Sequence, residues 1–405
     1  MMKIVVVGAG QAGASLVAKL RSNGHQGEIT MIGSEPELPY QRPPLSKKYL
    51  LGEMGKERLF LRPQNFYDDQ SITLALGLTV GAVDRTAKTV TAGDRVYPYD
   101  HLVLTTGSSP RRLPKSIGGA LAGVYTMRDL ADANAMAPEF VAGRRVLIVG
   151  GGYIGLEAAA VAARLGLKVT LVEMSERILQ RVAAPQTSDY FRSLHQSHGV
   201  NIQEGTGLTQ LHSTKGRVSG AALSDGREIA VDFVIVGVGI TPQSDIAEAA
   251  GLTVENGIQV NALGQTSDPA IWAAGDCAVF PYKDGRLRLE SVQNAIDQAE
   301  AVASNILGAN QAYVPQPWFW SDQYDVKLQI AGLNTGYDRV VSRAAPEDPK
   351  AVSFWYYQGD GLLAVDAMND PRAYMVGKRL IESGKSPAPA VIGDPTSNLK
   401  SLLKP

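Results

Sequence analysis

Cysteine is almost absent. Cys277 is the single one in 405 residues, so the chain cannot close an internal disulfide, and that suits a reducing compartment. Neither sign of charge dominates: 39 basic against 40 acidic residues leave a net charge of −1. Such a balance argues against bulk binding to nucleic acid or a membrane surface, although a local basic patch stays compatible with it. Long apolar runs are missing too. Stretches such as Val234–Ile240 fall far short of the roughly 20 residues that span a bilayer. The N-terminus leads straight into a strand, with no signal-peptide pattern. These absences predict a soluble, cytoplasmic protein without a membrane or nucleic-acid partner. Its length predicts two or three domains.

Glycine, by contrast, is placed with purpose. "KIVVVGAGQAGAS" runs from Lys3 to Ser15 and "RVLIVGGGYIGLEAAA" from Arg145 to Ala160. Each begins with a β-branched run typical of a strand buried on both faces, breaks at glycine, and continues as a helix. Strands are predicted at Lys3–Val7 and Glu28–Ile32 around a helix at Ala12–Asn23. The second set is strands Arg145–Val149 and Lys168–Val172 around a helix at Tyr153–Gly166. This is the strand–turn–helix context that a dinucleotide fingerprint requires. In it the first glycine permits the tight turn, the second lets backbone approach a pyrophosphate, and the third lets helix and strand pack closely. The pyrophosphate then meets unpaired N–H groups at the helix N-terminus. Gly8, Gly10 and Gly13 fill these positions in the first motif, and Gly150, Gly152 and Gly155 in the second.

An acidic residue is expected at the end of each second strand, to accept the adenosine ribose hydroxyls. Glu35 and Glu173 stand there. Glu173 would repel a 2′-phosphate and so favours NADH over NADPH, while Arg177 and Arg181 just downstream are groups able to receive such a phosphate. Glu157, inside the second helix, reads by position alone as a solvated glutamate. Further along, Arg217–Leu223 and Glu228–Val236 flank an Asp225–Gly226 hairpin signal. Thr89–Val96 and Leu102–Thr106 also read as strands. "TTGSSPRRLP" (Thr105–Pro114) and "IWAAGDCAVF" (Ile271–Phe280) each end a strand in a polar turn, the second placing Asp276 where it can accept from sugar-alcohol hydroxyls. From about Trp318 the chain changes character, with three of its four tryptophans and alternating strands such as "VKLQIAG" and "VSFWYY". The Pro-rich tail "GKSPAPAVIGDP" is predicted to loop over the surface.

Taken in order, the first fingerprint, "RPPLSK", "TTG", "GGGYIGLE", "GVGITP", "AAGDCA" and "PWFWSDQY" resemble the FAD- and NADH-dependent ferredoxin reductases. That group includes the reductases of putidaredoxin and palustrisredoxin and those of ring-hydroxylating dioxygenases. The similarity covers nearly the whole chain, and "YQRPPLSKKYL" and "PWFWSDQYDVKLQIAG" carry most of its specificity. It implies an α/β fold of glutathione-reductase-like architecture, with two Rossmann-like nucleotide-binding domains and a small C-terminal α+β domain. Residues 1–109 and 241–317 would form the FAD domain, 110–240 the NADH domain, and 318–405 the C-terminal domain.

The resemblance also implies roles for single residues. FAD would be held by Gly8, Gly10, Gly13, Glu35, Arg42, Lys47, Val83, Thr106, Gly107, Arg128, Asp276, Val292 and Trp320. Of these, Lys47 would stand near the reactive flavin N5, Val83 would offer backbone to the adenine, and Arg128 would face the phosphates. Asp276 would accept from the ribityl hydroxyls and Val292 would offer backbone to the pyrimidine edge. Thr105 departs from the alanine usual before that Thr-Gly turn. NADH would meet Gly150, Gly152, Ile154, Gly155, Glu157, Glu173, Arg181, Gly237 and Gly239. Lys47 and Glu157 are the expected catalytic pair, the lysine stabilising negative charge left on the flavin in a poorly solvated place.

NADH gives two electrons at once whereas a [2Fe–2S] ferredoxin accepts one at a time, and a flavin converts between the two. The implied activity is NADH:ferredoxin reduction serving a cytochrome P-450 monooxygenase or a dioxygenase, by a monomer or weak dimer. No cysteine pair is present, and Cys277 reads as a packing residue, so electrons would leave directly to an outside acceptor. Ferredoxins are usually acidic, which makes Lys48, Arg58, Arg62, Lys327, Arg339 and Arg343 candidate docking cations. Two alternatives share these motifs. An NADH:quinone reductase would carry a hydrophobic or amphipathic anchor, and "SNLKSLLKP" is short for one. A redox-sensing interaction protein resembling apoptosis-inducing factor would share the lysine–glutamate pair but would turn over slowly with every ferredoxin.

Overall fold

The computed structural model describes residues 1–345, 348 and 350–404. They form two compact units. The first comprises Met1–Gln41, Gly55–Ser109 and Ile240–Pro317, and the second comprises Arg42–Met54, Pro110–Gly239 and Trp318–Pro405. The short segment Arg42–Met54, which holds the whole of "RPPLSK", thus groups with the second fingerprint although it follows the first in sequence.

The first unit is built on a five-stranded parallel sheet, ordered Ile271–Ala273, His101–Leu104, Ile4–Val7, Ile29–Gly33, Ile72–Leu76. Ile4, Val5, Val6 and Val7 are all buried, as a strand covered on both faces requires. The fingerprint strand Ile4–Val7 has its sequence successor on one side and a strand from nearly 100 residues later on the other. That reversal of strand order opens a crevice at the carboxyl ends of the strands, where ligands bind in such sheets. Helices Gln11–Ser22 and Val292–Ile306 cover one face, sharing a core of Leu16, Val17, Leu20, Ala299 and Val302. A three-stranded antiparallel sheet, Val80–Asp84, Thr89–Ala92 and Arg95–Pro98, packs on the other through Val83 and Val90. The run expected as one strand, Thr89–Val96, is a hairpin that turns at Gly93.

In the second unit the parallel sheet runs Asn201–Glu204, Lys168–Glu173, Arg145–Val149, Phe233–Val236, Val124–Thr126. Its fingerprint strand again sits at the reversal of strand order. The hairpin at Asp225–Gly226 forms, but its second arm is not one strand over Glu228–Val236. Glu228–Ala230 pairs with Arg217–Leu223, and Phe233–Val236 joins the parallel sheet. Asp232 marks the break, its carboxylate accepting from the Arg145 backbone N–H at 2.7 Å.

The last part of this unit is a five-stranded antiparallel sheet, ordered Trp318–Gln323, Val326–Gly332, Gly361–Met368, Val352–Gln358, Arg339–Ala344. Helix Pro371–Glu382 packs on it around Trp355, Val365 and Leu380. The Pro-rich tail departs from expectation. It includes a short helix, Pro389–Gly393, and buries Ile392 and Leu399 in the same core. Arg343 secures it by donating to the carbonyls of Ile392, Asp394, Pro395 and Ser397. With 8% exposure, Arg343 is a buried clamp and not the docking cation expected from sequence. No helix among the described residues is long and apolar enough to cross a membrane.

Candidate functional site

Each unit carries one glycine cradle, and the two cradles match atom for atom in kind. Gly8 has φ +117°, and a Cβ there would lie 2.1 Å from the Thr105 carbonyl oxygen. Gly150 has φ +108°, and its Cβ would lie 2.4 Å from the Gly237 carbonyl oxygen. Only glycine fits either turn. A Cβ on Gly13 would meet Gly8 O at 2.1 Å, and one on Gly155 would meet Gly150 O at the same distance. These third glycines let each helix close onto its own turn. The middle glycines differ from both. Around Gly10 and Gly152 nothing lies within 4 Å of a built Cβ. They cap helices Gln11–Ser22 and Tyr153–Arg164, and neither helix has a side-chain cap or an acidic residue in its first turn. Free N–H groups, a positive helix end and open space beside the backbone are what a dinucleotide pyrophosphate needs. The residues present therefore fit one dinucleotide in each unit.

Around the first cradle, the Thr105 hydroxyl donates to Gly8 O at 2.9 Å and braces the turn. This is a use for the residue that stands in place of alanine. Glu35 follows the end of the second strand and accepts from the Tyr40 hydroxyl. Thr106 and Gly107 lie in the turn after strand His101–Leu104, where the Thr106 hydroxyl donates to Gln243 O. Asp276 is half-buried just past Ile271–Ala273 and accepts from the Ser108 hydroxyl at 2.9 Å. Val292 is the first residue of helix Val292–Ile306, after the Ser291 cap. Val83 lies in the antiparallel sheet, partly buried.

At the second cradle Glu173 ends its strand as expected. Its carboxylate already accepts from the backbone N–H of Gly151 at 2.7 Å and of Ser175 at 2.8 Å, so it is oriented at the glycine loop. Arg177 is committed elsewhere, donating to the Ser188 hydroxyl at 2.6 Å. The Arg181 guanidinium reaches the neighbourhood of Gly239, 3.9 Å from a Cβ built there. Ile154 stands 44% exposed in the first turn of the helix. Gly237 packs its carbonyl against Gly150.

The second unit also brings together residues far apart in sequence. Lys47 Nζ lies 2.9 Å from Glu157 Oε1. Their side chains are 15% and 3% exposed, so the bland reading of Glu157 as a solvated helix residue does not hold. Lys47 interrupts the helical turn Leu45–Tyr49 with φ −136° and ψ −112°. Two hydroxyls complete the carboxylate, Ser46 donating to Oε2 at 2.8 Å and Ser321 to Oε1 at 2.7 Å. A buried carboxylate is tolerated when both its charge and its lone pairs are answered, as here. Arg42 donates to the backbone carbonyl of Arg128 at 3.1 Å, so these two also meet. Trp320 lies on strand Trp318–Gln323, its ring 5.5 Å from that of Trp318.

Sequence reasoning passed over Ser46, Ser108 and Ser321. Ser321 had a signal. Strand alternation sets it on the face opposite Trp320, and the structure buries both Ser321 and Gln323 while Asp322 is exposed. Polar residues turned inward on a strand call for partners. Cys277 is fully buried and its S–H points at the carbonyls of Leu104 and Ala274. Burial pushes its thiol pKa up, the opposite of what a reactive thiolate needs. Of the other docking candidates, Lys48, Arg58, Arg62, Lys327 and Arg339 are exposed.

Comparison with known proteins agrees with this construction. The family model described as pyridine nucleotide-disulphide oxidoreductase matches residues 2–299, and one described as reductase C-terminal matches 318–403. A ferredoxin–NAD(P)(+) reductase of Sphingomonas sp. is 44% identical over 99% of this chain and 98% of its own length. Putidaredoxin reductase of Pseudomonas putida is 39% identical over 99% of this chain and 96% of its own. Among solved structures, the covalent putidaredoxin reductase–putidaredoxin complex superposes with a TM-score of 0.96 at 39% identity, covering 99% of this chain and 98% of that one. The ferredoxin reductase for the CYP199A2 system of Rhodopseudomonas palustris also gives 0.96, at 37% identity over the full length of both chains. The chain belongs to the pyridine nucleotide-disulphide oxidoreductase family and, within it, to the ferredoxin reductases of the putidaredoxin reductase type.

Proposed function

We propose that the chain is an NADH:ferredoxin oxidoreductase, with FAD as resident cofactor. It takes a hydride from NADH and delivers single electrons to a [2Fe–2S] ferredoxin serving a cytochrome P-450 monooxygenase or a ring-hydroxylating dioxygenase. The observation that carries this reading is the paired cradle: each unit repeats the same three-glycine geometry with open space at the middle glycine. Bound FAD supplies the conversion between two-electron and one-electron chemistry, and the protein supplies position and charge. The first cradle, with Glu35, Val83, Thr106, Gly107, Asp276 and Val292, would hold FAD, and the family likeness gives Arg42, Lys47, Arg128 and Trp320 a part in binding it. The second cradle would hold NADH. Residues 1–109 and 241–317 act as the FAD domain, 110–240 as the NADH domain and 318–405 as the C-terminal domain. The setting is the cytoplasm and the working form a monomer or weak dimer. The ferredoxin docks near the flavin edge through exposed cations.

Anaerobic rapid mixing with NADH should bleach the bound flavin, and excess NADH should then reduce an added [2Fe–2S] ferredoxin. A flavin that stays oxidised sinks the reading. Slow transfer to every ferredoxin, with NADH-dependent dimerisation, would turn it toward a redox sensor.

Preference for NADH follows from Glu173, because its carboxylate is fixed at the glycine loop where a ribose 2′-phosphate would arrive. Arg177 is already spent on Ser188. Replacing Glu173 by Ala removes a charged hydrogen bond worth about 1.5–3 kcal/mol. Titration of flavin bleaching with NADH and NADPH should show their ratio narrowing about tenfold or more. An unaltered ratio would free Glu173 of this role.

A further inference from the structure

Glu157 is the end of a longer chain of hydrogen bonds that runs through the second unit. Its Oε1 accepts from the Ser321 hydroxyl at 2.7 Å. Ser321 Oγ in turn accepts from Gln323 Nε2 at 3.2 Å. Gln323 Oε1 lies 2.7 Å from His195 Nε2, and His195 Nδ1 lies 3.2 Å from the Tyr324 hydroxyl. Ser321, Gln323 and His195 are each fully buried. His198 stacks on Tyr324 at 3.7 Å between centroids and covers the outer end.

Donor chemistry gives this chain one direction. An amide nitrogen only donates, so Gln323 must give a proton to Ser321. Ser321 has a single hydroxyl hydrogen, which goes to Glu157. The Gln323 carbonyl then needs a donor, and His195 Nε2 is the one in reach. Burial pushes the His195 pKa down to about 4, so the ring is neutral and carries one proton. With that proton on Nε2, Nδ1 accepts from Tyr324. Every dipole from Tyr324 to Ser321 therefore points at the carboxylate that pairs with Lys47. Hydrogen bonds polarised in sequence strengthen one another in a poorly solvated interior.

We propose that Ser321, Gln323 and His195 are positioning residues for flavin reduction: their directed hydrogen bonds hold the Glu157 carboxylate oriented, and through it fix Lys47. This deepens the proposed function and rests on the reading that the Lys47–Glu157 pair serves hydride transfer. It goes beyond that pair by extending the machinery through Gln323, at the end of strand Trp318–Gln323, to His195 on helix Pro185–Ser197, a helix the site reading gives no chemical part.

The first test needs no turnover. The chain has five histidines, and ¹⁵N-histidine labelling of the holoenzyme with two-bond ¹⁵N–¹H correlation reports each tautomer. His195 is expected as the neutral Nε2–H form at pH 7. An Nδ1–H tautomer or a protonated ring would reverse the chain and overturn the proposal. The second test compares flavin bleaching under saturating NADH for Ser321→Ala, Gln323→Met and the double variant, each with FAD retained. Either single change should slow bleaching about tenfold, the scale of one hydrogen bond to a charged group. Because Gln323 acts through Ser321, the double variant should be no slower than the slower single one. Losses that multiply, or single variants at the wild-type rate, would overturn the proposal. Lys47→Met run alongside separates the two levels. If it is slow while the chain variants are normal, only the chain falls. If it reacts at the wild-type rate, the reading of the pair falls and the proposal with it.

Discussion

Flavin bleaching by NADH should slow about 100-fold or more when Lys47 is replaced by Met, with FAD still bound. Removing one preorganised group that stabilises developing charge costs about 10²–10³ in rate in a dry site. Lys47 is such a group, 15% exposed and held 2.9 Å from Glu157. Retention of FAD is expected because the cradle of the first unit is untouched by the change. A second cost falls on Glu157. It loses its counter-charge while keeping Ser46 and Ser321 as donors, and an uncompensated buried charge is worth about 3–5 kcal/mol. Glu157→Gln separates the two effects. It keeps the shape and leaves the lysine cation in place with a looser hold, so its loss should be about tenfold, the worth of one charge-assisted bond. The two rates come from rapid mixing at saturating NADH. Wild-type bleaching in Lys47→Met would remove the lysine from the mechanism, and equal losses in both variants would assign the effect to the pair as a structural unit.

The pair also shows what the sequence could and could not reveal. The two fingerprints were legible because strand, turn and helix signals fall in one window and local sterics decide the outcome. Gly8 and Gly150 have their positive φ, and the strands start and end within about a residue of expectation, the usual fraying of boundaries. Tertiary context decided the rest. Nothing near Glu157 in sequence distinguishes a solvated glutamate from a buried one. Its partners Ser46 and Ser321 lie 111 and 164 residues away. The resemblance supplied Lys47; strand alternation around Ser321 was a local hint of one serine, and nothing local marks Ser46. Arg343 misled for the same reason. An arginine on a strand reads as a surface cation until the tail beyond it folds back and offers its carbonyls. The Glu228–Val236 run misled through its composition. Its apolar residues suit either sheet, and only the Asp232 contact with Arg145 shows where one sheet ends and the other begins.

Two alanines placed two residues apart should have opposite kinds of effect. Gly10→Ala adds a methyl where nothing lies within 4 Å, at φ −95° and ψ −159°, a conformation any residue adopts. The apoprotein should melt almost as the wild type does, since losing a glycine cap costs at most about 1 kcal/mol. FAD binding should nonetheless weaken about 100-fold or more, because the methyl occupies the approach of the pyrophosphate and denies it charged hydrogen bonds. Gly8→Ala meets the reverse situation. Its methyl would sit 2.1 Å from the Thr105 carbonyl oxygen at φ +117°, so backbone must move before any ligand arrives. That variant should lose stability in the apoprotein itself. Gly152→Ala extends the contrast to the second unit, where the same open space surrounds the middle glycine. It should keep FAD and full apoprotein stability while the NADH concentration for half-maximal bleaching rises about 10- to 100-fold. Thermal melts of apoprotein, FAD titration and NADH titration read the three effects separately. If Gly10→Ala binds FAD as tightly as the wild type, the open space at that glycine is not the pyrophosphate site. If Gly152→Ala weakens FAD and spares NADH, the two cradles have been assigned the wrong way round.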